Sequence, residues 1–312
     1  MNHQLHISVN GGRSLSNTIV LLAGGLFLLL SGAARLAWSV EPSGAFSGEL
    51  TATGVYSSDA SHRYWAGLRY LPQLNYQIPD DEWSFIDFEV AANLNGSAAF
   101  NNVDDHSSDA DAKEYRAWAR YSSEQSEMRL GLQKINFGSA TILRPLQWFD
   151  SIDPRDPQRF TEGVWGGLGR YYFLDNSNVW FWVLYGNDDP RGLDRFGSSG
   201  SKPEAGGRAQ YPVPSGEIAV SYNHRTVDLD IGGLVPENKF GLDGKWDLGV
   251  GLWFELTHAH RSGAPDALSN ETHFMLGSDY TFGVGNGLNL EVKQLDAASR
   301  KLPHPMCVVT WP

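Results

Sequence analysis

The sequence predicts an all-β chain, an antiparallel transmembrane up-and-down β-barrel. Three observations carry that reading. Apolar and polar residues alternate along run after run, the runs are as long as membrane strands, and long and short polar connections alternate between them. A strand turns successive side chains to opposite faces, so period-two alternation produces one apolar and one polar face. Soluble strands usually run about 5–6 residues. A strand that crosses a bilayer needs roughly 9–11 and carries aromatic residues near its ends. In the first run Phe46, Gly48, Leu50, Ala52, Gly54 and Tyr56 oppose Ser47, Glu49, Thr51 and Thr53.

The remaining elements follow the same rule, giving about eleven predicted strands. Tyr64, Ala66, Leu68, Tyr70, Leu74, Tyr76 and Ile78 alternate with Arg63, Trp65, Arg69, Gln73, Asn75 and Gln77, before a tight PDDE turn. A third strand (Trp83 to Asn95) sends Ile86, Phe88 and Val90 outward and Asp87, Glu89 and Asn93 inward. A long polar loop, Gly96 to Asp111, is predicted next. The fourth (Ala112 to Tyr121) and fifth (Glu127 to Phe137) turn Arg116, Trp118, Arg120 and Arg129 inward. Gly138 to Glu162 breaks the pattern: Pro145, Pro154 and Pro157 would interrupt any ladder, so it reads as a loop. Strands six and seven (Val164 to Leu174, Asn178 to Gly186) alternate poorly, because Trp180 and Trp182 oppose Phe181 and Val183. A loop from Asn187 to Ser215 precedes the eighth strand. Arg225 to Gly244 reads as a strand extension and long turn, or as an extra strand pair. The ninth strand runs through Trp246, Leu248, Val250, Leu252, Phe254 and Leu256, and the last two meet at GVGNG, a hairpin signal.

Bulk composition agrees. Only 19% of the 312 residues are charged, while Gly (34), Trp (11) and Tyr (12) are plentiful. A lipid-facing surface carries no charge and collects aromatics at its rims. A net charge of −12 argues against a nucleic-acid partner, since phosphates need a basic stripe. Much of the acid falls in predicted loops (Asp104, Asp105, Asp109, Asp111, Asp188, Asp189), where it is solvated or holds divalent cations at a lipopolysaccharide surface. The single cysteine, Cys307, leaves no disulfide framework and no multi-cysteine metal or haem site.

Three segments are predicted. Residues 1–39 read as an export signal, with Arg13, the apolar stretch Thr18 to Ala34 and a small-x-small cleavage pattern at Ala37-Trp38-Ser39. Residues 40–294 read as the barrel. Residues 295–312, with two prolines and no alternation, read as an atypical tail of a truncated or frameshifted frame, which leaves closure incomplete, since single-chain barrels pair an even number of strands.

The stretch GLQKINFGSATILRPLQWFDSIDPRDPQRFTEGVWGGLGRYYFLDN (Gly131 to Asn176), with VPENKFGLDGKWDLGVGLWFE and DYTFGVGNGLNL, resembles a family of uncharacterised porin-like outer-membrane barrels of Gram-negative bacteria. That family is broadly similar to alginate-export and other substrate-selective porins. The resemblance covers roughly Phe46 to Leu290 and implies diffusion or facilitated transport across an outer membrane.

Candidate site residues follow from the inward face. Arg63, Arg69, Arg116, Arg120 and Arg129, with Arg170 as a further member, form a mainly basic lining in which Asp87 and Glu89 are embedded; Glu114, Asp247, Glu255 and Glu291 are further acidic lining residues. Opposed charges across a narrow passage order water and favour polar or anionic solutes; the same groups also serve simply by pairing across strands. In the proline-rich loop Arg144, Asp150, Asp153, Arg155, Asp156 and Arg159 are the candidate constriction, with Trp148 and Phe149 packing on the wall; an extracellular cap is the competing reading. Chemistry is not predicted. His258 and His260 share a face at i, i+2 spacing, but two ligands make a weak metal site. Gly166 to Arg170 lacks the Lys-Ser or Lys-Thr of a phosphate loop. The expectation is a passive channel for small polar or anionic solutes, no enzyme, without cofactor or metal. Its partners would be outer-membrane lipid and lipopolysaccharide, its solutes and another copy of itself. The alternatives are a non-conducting barrel scaffold and a secreted β-rich glycan-binding protein.

Overall fold

The computed structural model describes residues 42–310 apart from 59, 103, 153–159, 230–232, 282–286, 298–299 and 302–305, so the predicted signal lies outside the described residues. The chain divides into two compact units, 1–115 and 116–312.

The first unit holds β1 (Ser43–Tyr56), β2 (Tyr64–Pro79), β3 (Phe85–Phe100) and the start of β4 (His106–Ser122). Their register matches the alternation. Phe46 faces Leu74, Leu50 faces Tyr70 and Tyr56 faces Tyr64, while Leu74 and Tyr76 face Val90 and Phe88. All the even-numbered apolar residues therefore share one face, and Phe46, Leu50, Leu68, Leu74 and Val90 stand exposed on it. At one end of that face Tyr56, Tyr64 and Phe100 stack in a row, with centroids 5.3 and 5.6 Å apart. The predicted long loop Gly96 to Asp111 is a correction. Strand β3 continues to Phe100 and β4 starts at His106, placing Asp109 and Asp111 in a strand. Gly96, Ala98 and Phe100 keep the parity of β3, but small residues made that continuation look like a loop.

The second unit continues with β5 (Ser126–Gln133), β6 (Ser151–Ile152), β7 (Thr161–Glu162), β8 (Val164–Tyr172) and β9 (Asn178–Leu184). Then come β10 (Glu204–Val213), β11 (Gly216–Asp228), β12 (Leu234–Asp247), β13 (Gly251–Arg261), the single-turn helix α1 (Asp266–Ser269), β14 (Asn270–Thr281), β15 (Gly287–Ala297), β16 (Arg300–Lys301) and β17 (Met306–Thr310). The thirteen long strands form one antiparallel sheet in sequence order, with β6 and β7 as a separate ribbon. Among the described residues β1 pairs with β2 alone. Residues beyond the predicted barrel limit at 294 still join the sheet, for β17 pairs with β15 from Asn289↔Thr310 to Lys293↔Met306.

Two strands exceed the predicted eleven. Strand β10 occupies part of the expected Asn187–Ser215 loop. Its exposed side carries Ala205, Gly207, Ala209 and Tyr211, too small a set to signal a strand. Strand β12 fills the stretch that was hard to place, and its exposed face (Phe240, Leu242) alternates with buried Glu237, Lys239 and Asp243. The predicted ninth strand is really the end of β12, a turn and β13: Trp246 faces Leu252 and Asp247 faces Gly251. The turn is closed by Leu248 N–H donating to Val250 O at 3.0 Å. Even-numbered residues keep one face on both sides of this turn, so the pattern reads straight through it.

In the second unit the connections 134–163, 185–203, 229–233 and 262–269 join strands at one end, and 123–125, 173–177, 214–215 and 248–250 at the other. All the long connections in this unit thus share one end. The same sheet face that carries charge also carries the packed core.

Candidate functional site

The proline-rich connection does not extend away from the sheet; it lies against the polar face of the second unit. Ile135, Phe137, Leu146, Trp148 and Phe149 bury against Val164 and Leu168 of β8 and Trp182 and Leu184 of β9. Phe137 stacks on Trp182 at 5.7 Å and meets Trp148 edge-on at 5.6 Å, and Phe149 meets Trp182 at 5.3 Å. Aromatic pairs at such separations gain beyond simple burial. This explains the poor alternation of β8 and β9: their apolar inward residues meet the loop, while Phe181 and Val183 face outward.

Two carboxylates pin the loop's backbone. The would-be orphan N–H groups of an irregular segment need acceptors when buried, and Glu255 of β13 and Glu291 of β15 supply them. Glu255 accepts from Ala140 N–H (2.9 Å) and Leu146 N–H (3.0 Å). Glu291 accepts from the Thr141 N–H (2.8 Å) and hydroxyl (3.0 Å) and from the N–H groups of Ile142 (3.0 Å) and Leu143 (2.6 Å). Close approach demands glycine at 138. Its φ is +91°, and a Cβ there would lie 2.4 Å from Glu255 Oε1.

The connection 185–203 docks on the first loop. Gly192 N–H donates to Asp150 O at 2.6 Å, and with φ +59° a Cβ on Gly192 would sit 1.7 Å from Gln147 O. Arg191 lies over the Phe149 ring and pairs with Glu204 at 2.5 Å. Around it runs a ladder of buried ion pairs. Arg225 bridges Asp194 (2.8 Å) and Glu237 (2.5 Å), Arg261 bridges Glu237 (2.6 Å) and Glu271 (2.9 Å), and Lys239 contacts Asp194. Arg208 holds Asp243 through two bonds of 2.6 and 2.7 Å and covers Phe137. Charges removed from water need partners of this kind. The sequence reading did not single out this ladder, although Glu237, Lys239 and Asp243 at period two, opposite Phe240 and Leu242, carry its signal.

The predicted lining residues fall in both units. In the first, Arg63 sits in the 57–63 connection, where its N–H donates to Asn101 Oδ1 (2.8 Å). Arg69 Nε donates to Asn95 Oδ1 (2.8 Å), and Asp87 and Glu89 face Gln77 and Asn75 across β2. In the second, buried Arg116 donates to Thr161 O at 3.0 Å. Arg120, Arg129 and Arg170 converge on Glu127 at 3.6, 3.0 and 3.3 Å. All three lie over indoles, Arg129 and Arg120 over Trp118 at 4.6 and 5.5 Å and Arg170 over Trp180 at 4.0 Å. Of the predicted constriction set, Arg144 pairs with buried Asp150 at 3.2 Å and contacts Asn136. Asp153, Arg155, Asp156 and Arg159 lie outside the described residues. His258 and His260 share the outward face of β13 with Leu252 and Leu256, and among the described residues no group of three side chains could hold a metal ion.

Two solved structures bear on this architecture. The anion-selective porin from Comamonas acidovorans matches with a TM-score of 0.51 and 15% identity, over 87% of this chain and 83% of that one. OccD3 (OpdP) from Pseudomonas aeruginosa matches with a TM-score of 0.50 and 15% identity, over 81% of this chain and 58% of that one. No protein-family model and no curated protein matches the chain. At such identities the likeness establishes the fold, a porin-like antiparallel β-barrel.

Proposed function

We propose that this chain is a channel of a Gram-negative outer membrane, exported by residues 1–39, through which small polar or anionic solutes diffuse passively. The observation that carries the proposal is the loop 134–150, laid on the charged sheet face and pinned there by Glu255 and Glu291, while the opposite face is apolar and exposed. A protein whose interior were merely structural would fill that face with apolar side chains. Here charged side chains and backbone donors are matched one against another beside a segment that narrows the passage. Solutes would move past Arg120, Arg129 and Arg170, which converge on Glu127. Positive groups held over indole faces attract anions and offer a flat surface to polar rings. The description of the Comamonas porin as anion-selective agrees with that direction.

The test is single-channel recording in planar bilayers. Replacing Arg155 and Arg159 together by Ala is expected to lower anion preference or change conductance. Recordings identical to wild type would remove that part of the loop from the pathway. A second reading, a non-conducting barrel, draws on the dry aromatic cluster between the loop and β8–β9. Liposomes that do not swell in any small sugar or amino acid, although the protein has inserted, would favour it.

A further inference from the structure

We infer that the polar face of β1–β3 carries a subsite for an uncharged pyranose sugar, with the Trp65 indole as its platform. The site rests on reading that face as the wall of a passage, as proposed above. Trp65 stands on the odd-numbered, polar face, yet it is 40% exposed. The inward indoles of the second unit are covered instead, Trp182 and Trp253 by packing and Trp118 and Trp180 by guanidiniums. The six-membered ring of Trp65 leans back along its own strand over Gly67, where a Cβ would lie 2.4 Å from Cη2. Glycine at 67 therefore lets the indole lie down on the sheet and turn its other face away from it.

The register builds the rest of the subsite row by row. Val55, Trp65 and Ala99 lie side by side across the three strands, an apolar row on a polar face. The next row on that face is Thr53, Gly67 and Ser97, and the one beyond is Thr51, Arg69 and Asn95. Each step is roughly 7 Å along a strand, so the face passes from indole to hydroxyl to guanidinium and amide within about 14 Å. A pyranose has the matching two-sided chemistry, with C–H bonds on its ring face and hydroxyls around its rim. The C–H face meets the negative face of the indole. The hydroxyls of Thr53 and Ser97 both donate and accept. Arg69 can only donate, and its Nε–H reaches Asn95 Oδ1 at 2.8 Å. That contact fixes which way the Asn95 amide points and leaves its NH2 for a sugar hydroxyl. An anion is the weaker occupant. Within β1–β3 the same face carries Glu49, Asp87 and Glu89 against Arg69, and Arg63 of the adjoining connection does not reverse that balance. An open-chain polyol brings the hydroxyls but no flat ring face.

Current-noise analysis of the full chain in planar bilayers tests the subsite, with methyl glucoside as the ring sugar and sorbitol as an open-chain polyol of similar size. Wild type is expected to bind methyl glucoside about tenfold more tightly than sorbitol, the effect of one aromatic contact. Trp65→Ala is expected to lose that preference while keeping the wild-type ion selectivity, and Trp65→Phe to retain part of it. Equal binding of the two solutes by wild type overturns the subsite, as does an unchanged preference in Trp65→Ala. Glucuronate bound more tightly than methyl glucoside would assign an anion site instead and overturn the uncharged sugar. Should Trp65→Ala fail to insert, or wild type insert without passing current, saturation-transfer NMR of wild type in detergent decides. Irradiation of the aromatic protons is expected to reach the ring protons of methyl glucoside and not those of sorbitol; equal or absent transfer overturns the subsite. Inserted wild type that passes no current would sink the channel reading alone, since the NMR comparison needs no pore.

Discussion

Asp81 and Asp175 each close a short connection by accepting bonds from the residues just after them. Asp81 Oδ1 accepts from the N–H groups of Trp83 and Ser84, both at 2.7 Å; Asp175 Oδ1 accepts from the Ser177 hydroxyl (2.6 Å) and N–H (3.0 Å). These bonds favour the charged carboxylate, so both groups titrate below the ordinary 3.8, Asp81 chiefly through Trp83 N–H and Asp175 chiefly through the Ser177 hydroxyl. A depressed folded-state value stabilises the fold above the unfolded-state value and ceases to do so as pH falls through the folded one. The loss of urea resistance caused by Asp175→Ala is therefore expected to be full at neutral pH and to shrink below about pH 4. A gap between wild type and variant that stays constant down to acid would show that the carboxylate charge contributes nothing to this turn. Both groups are solvent-exposed, so the effect is small beside that of the buried ladder, where Arg225 touches Asp194 and Glu237 without water between them.

The loop 134–150 is the element on which the channel reading turns, and its fixation is asymmetric. One flank is held by dry aromatic packing, the other by carboxylates. Glu291→Ala would leave three backbone N–H groups and the Thr141 hydroxyl without their acceptor. Water in an open passage can replace some of those bonds, so the expected cost is about 1–3 kcal/mol, read from urea unfolding. The sharper readout is electrical: larger mean conductance with more open-channel noise, as the released flank samples positions away from the wall. Quiet, wild-type-sized openings would mean that Glu291 does not set the passage. Much of this element was legible beforehand. Three prolines argued against a strand between Gly138 and Glu162, and the main sheet takes none there, although the two-residue strands β6 and β7 pair within that stretch; Trp148 and Phe149 were expected on the wall, where they are. Glu255 and Glu291 were legible as polar-face residues, but not as clamps, because their partners lie 115 and 150 positions away in sequence. Strand β10 was hidden for a different reason. Ala205, Gly207 and Ala209 give the exposed face so little apolar bulk that Glu204 and Arg208 dominate, and the segment reads as loop. At the β12–β13 turn the pattern misled by being too regular, since residues 246, 248, 250 and 252 are all apolar and of one parity.

At the scale of the molecule, the two faces of the sheet make opposite demands on tryptophan, and this gives a test of the membrane reading that needs no solute. Trp246 lies on the face that holds Phe240, Leu242 and Leu252, aligned in register with Gly216 and Leu252. Trp148 and Trp182 lie on the other face, 4% and 1% exposed beneath the loop. A hydrocarbon-clad face would bring Trp246 against acyl chains, while the loop would keep lipid from the other two. In vesicles of lipid brominated along the acyl chain, the quenched share of the fluorescence is expected to fall in Trp246→Phe. In Trp148→Phe it is expected to rise, because an unquenched emitter has been removed. The conservative exchange keeps the aromatic packing around position 148 nearly intact, so a change in the quenched share there reports on lipid access. A water-filled interior does not admit bromolipid, and a soluble sandwich would show no quenching of either set. Equal quenching of Trp148 and Trp246 would mean that lipid reaches both faces, which a sheet separating water from hydrocarbon forbids.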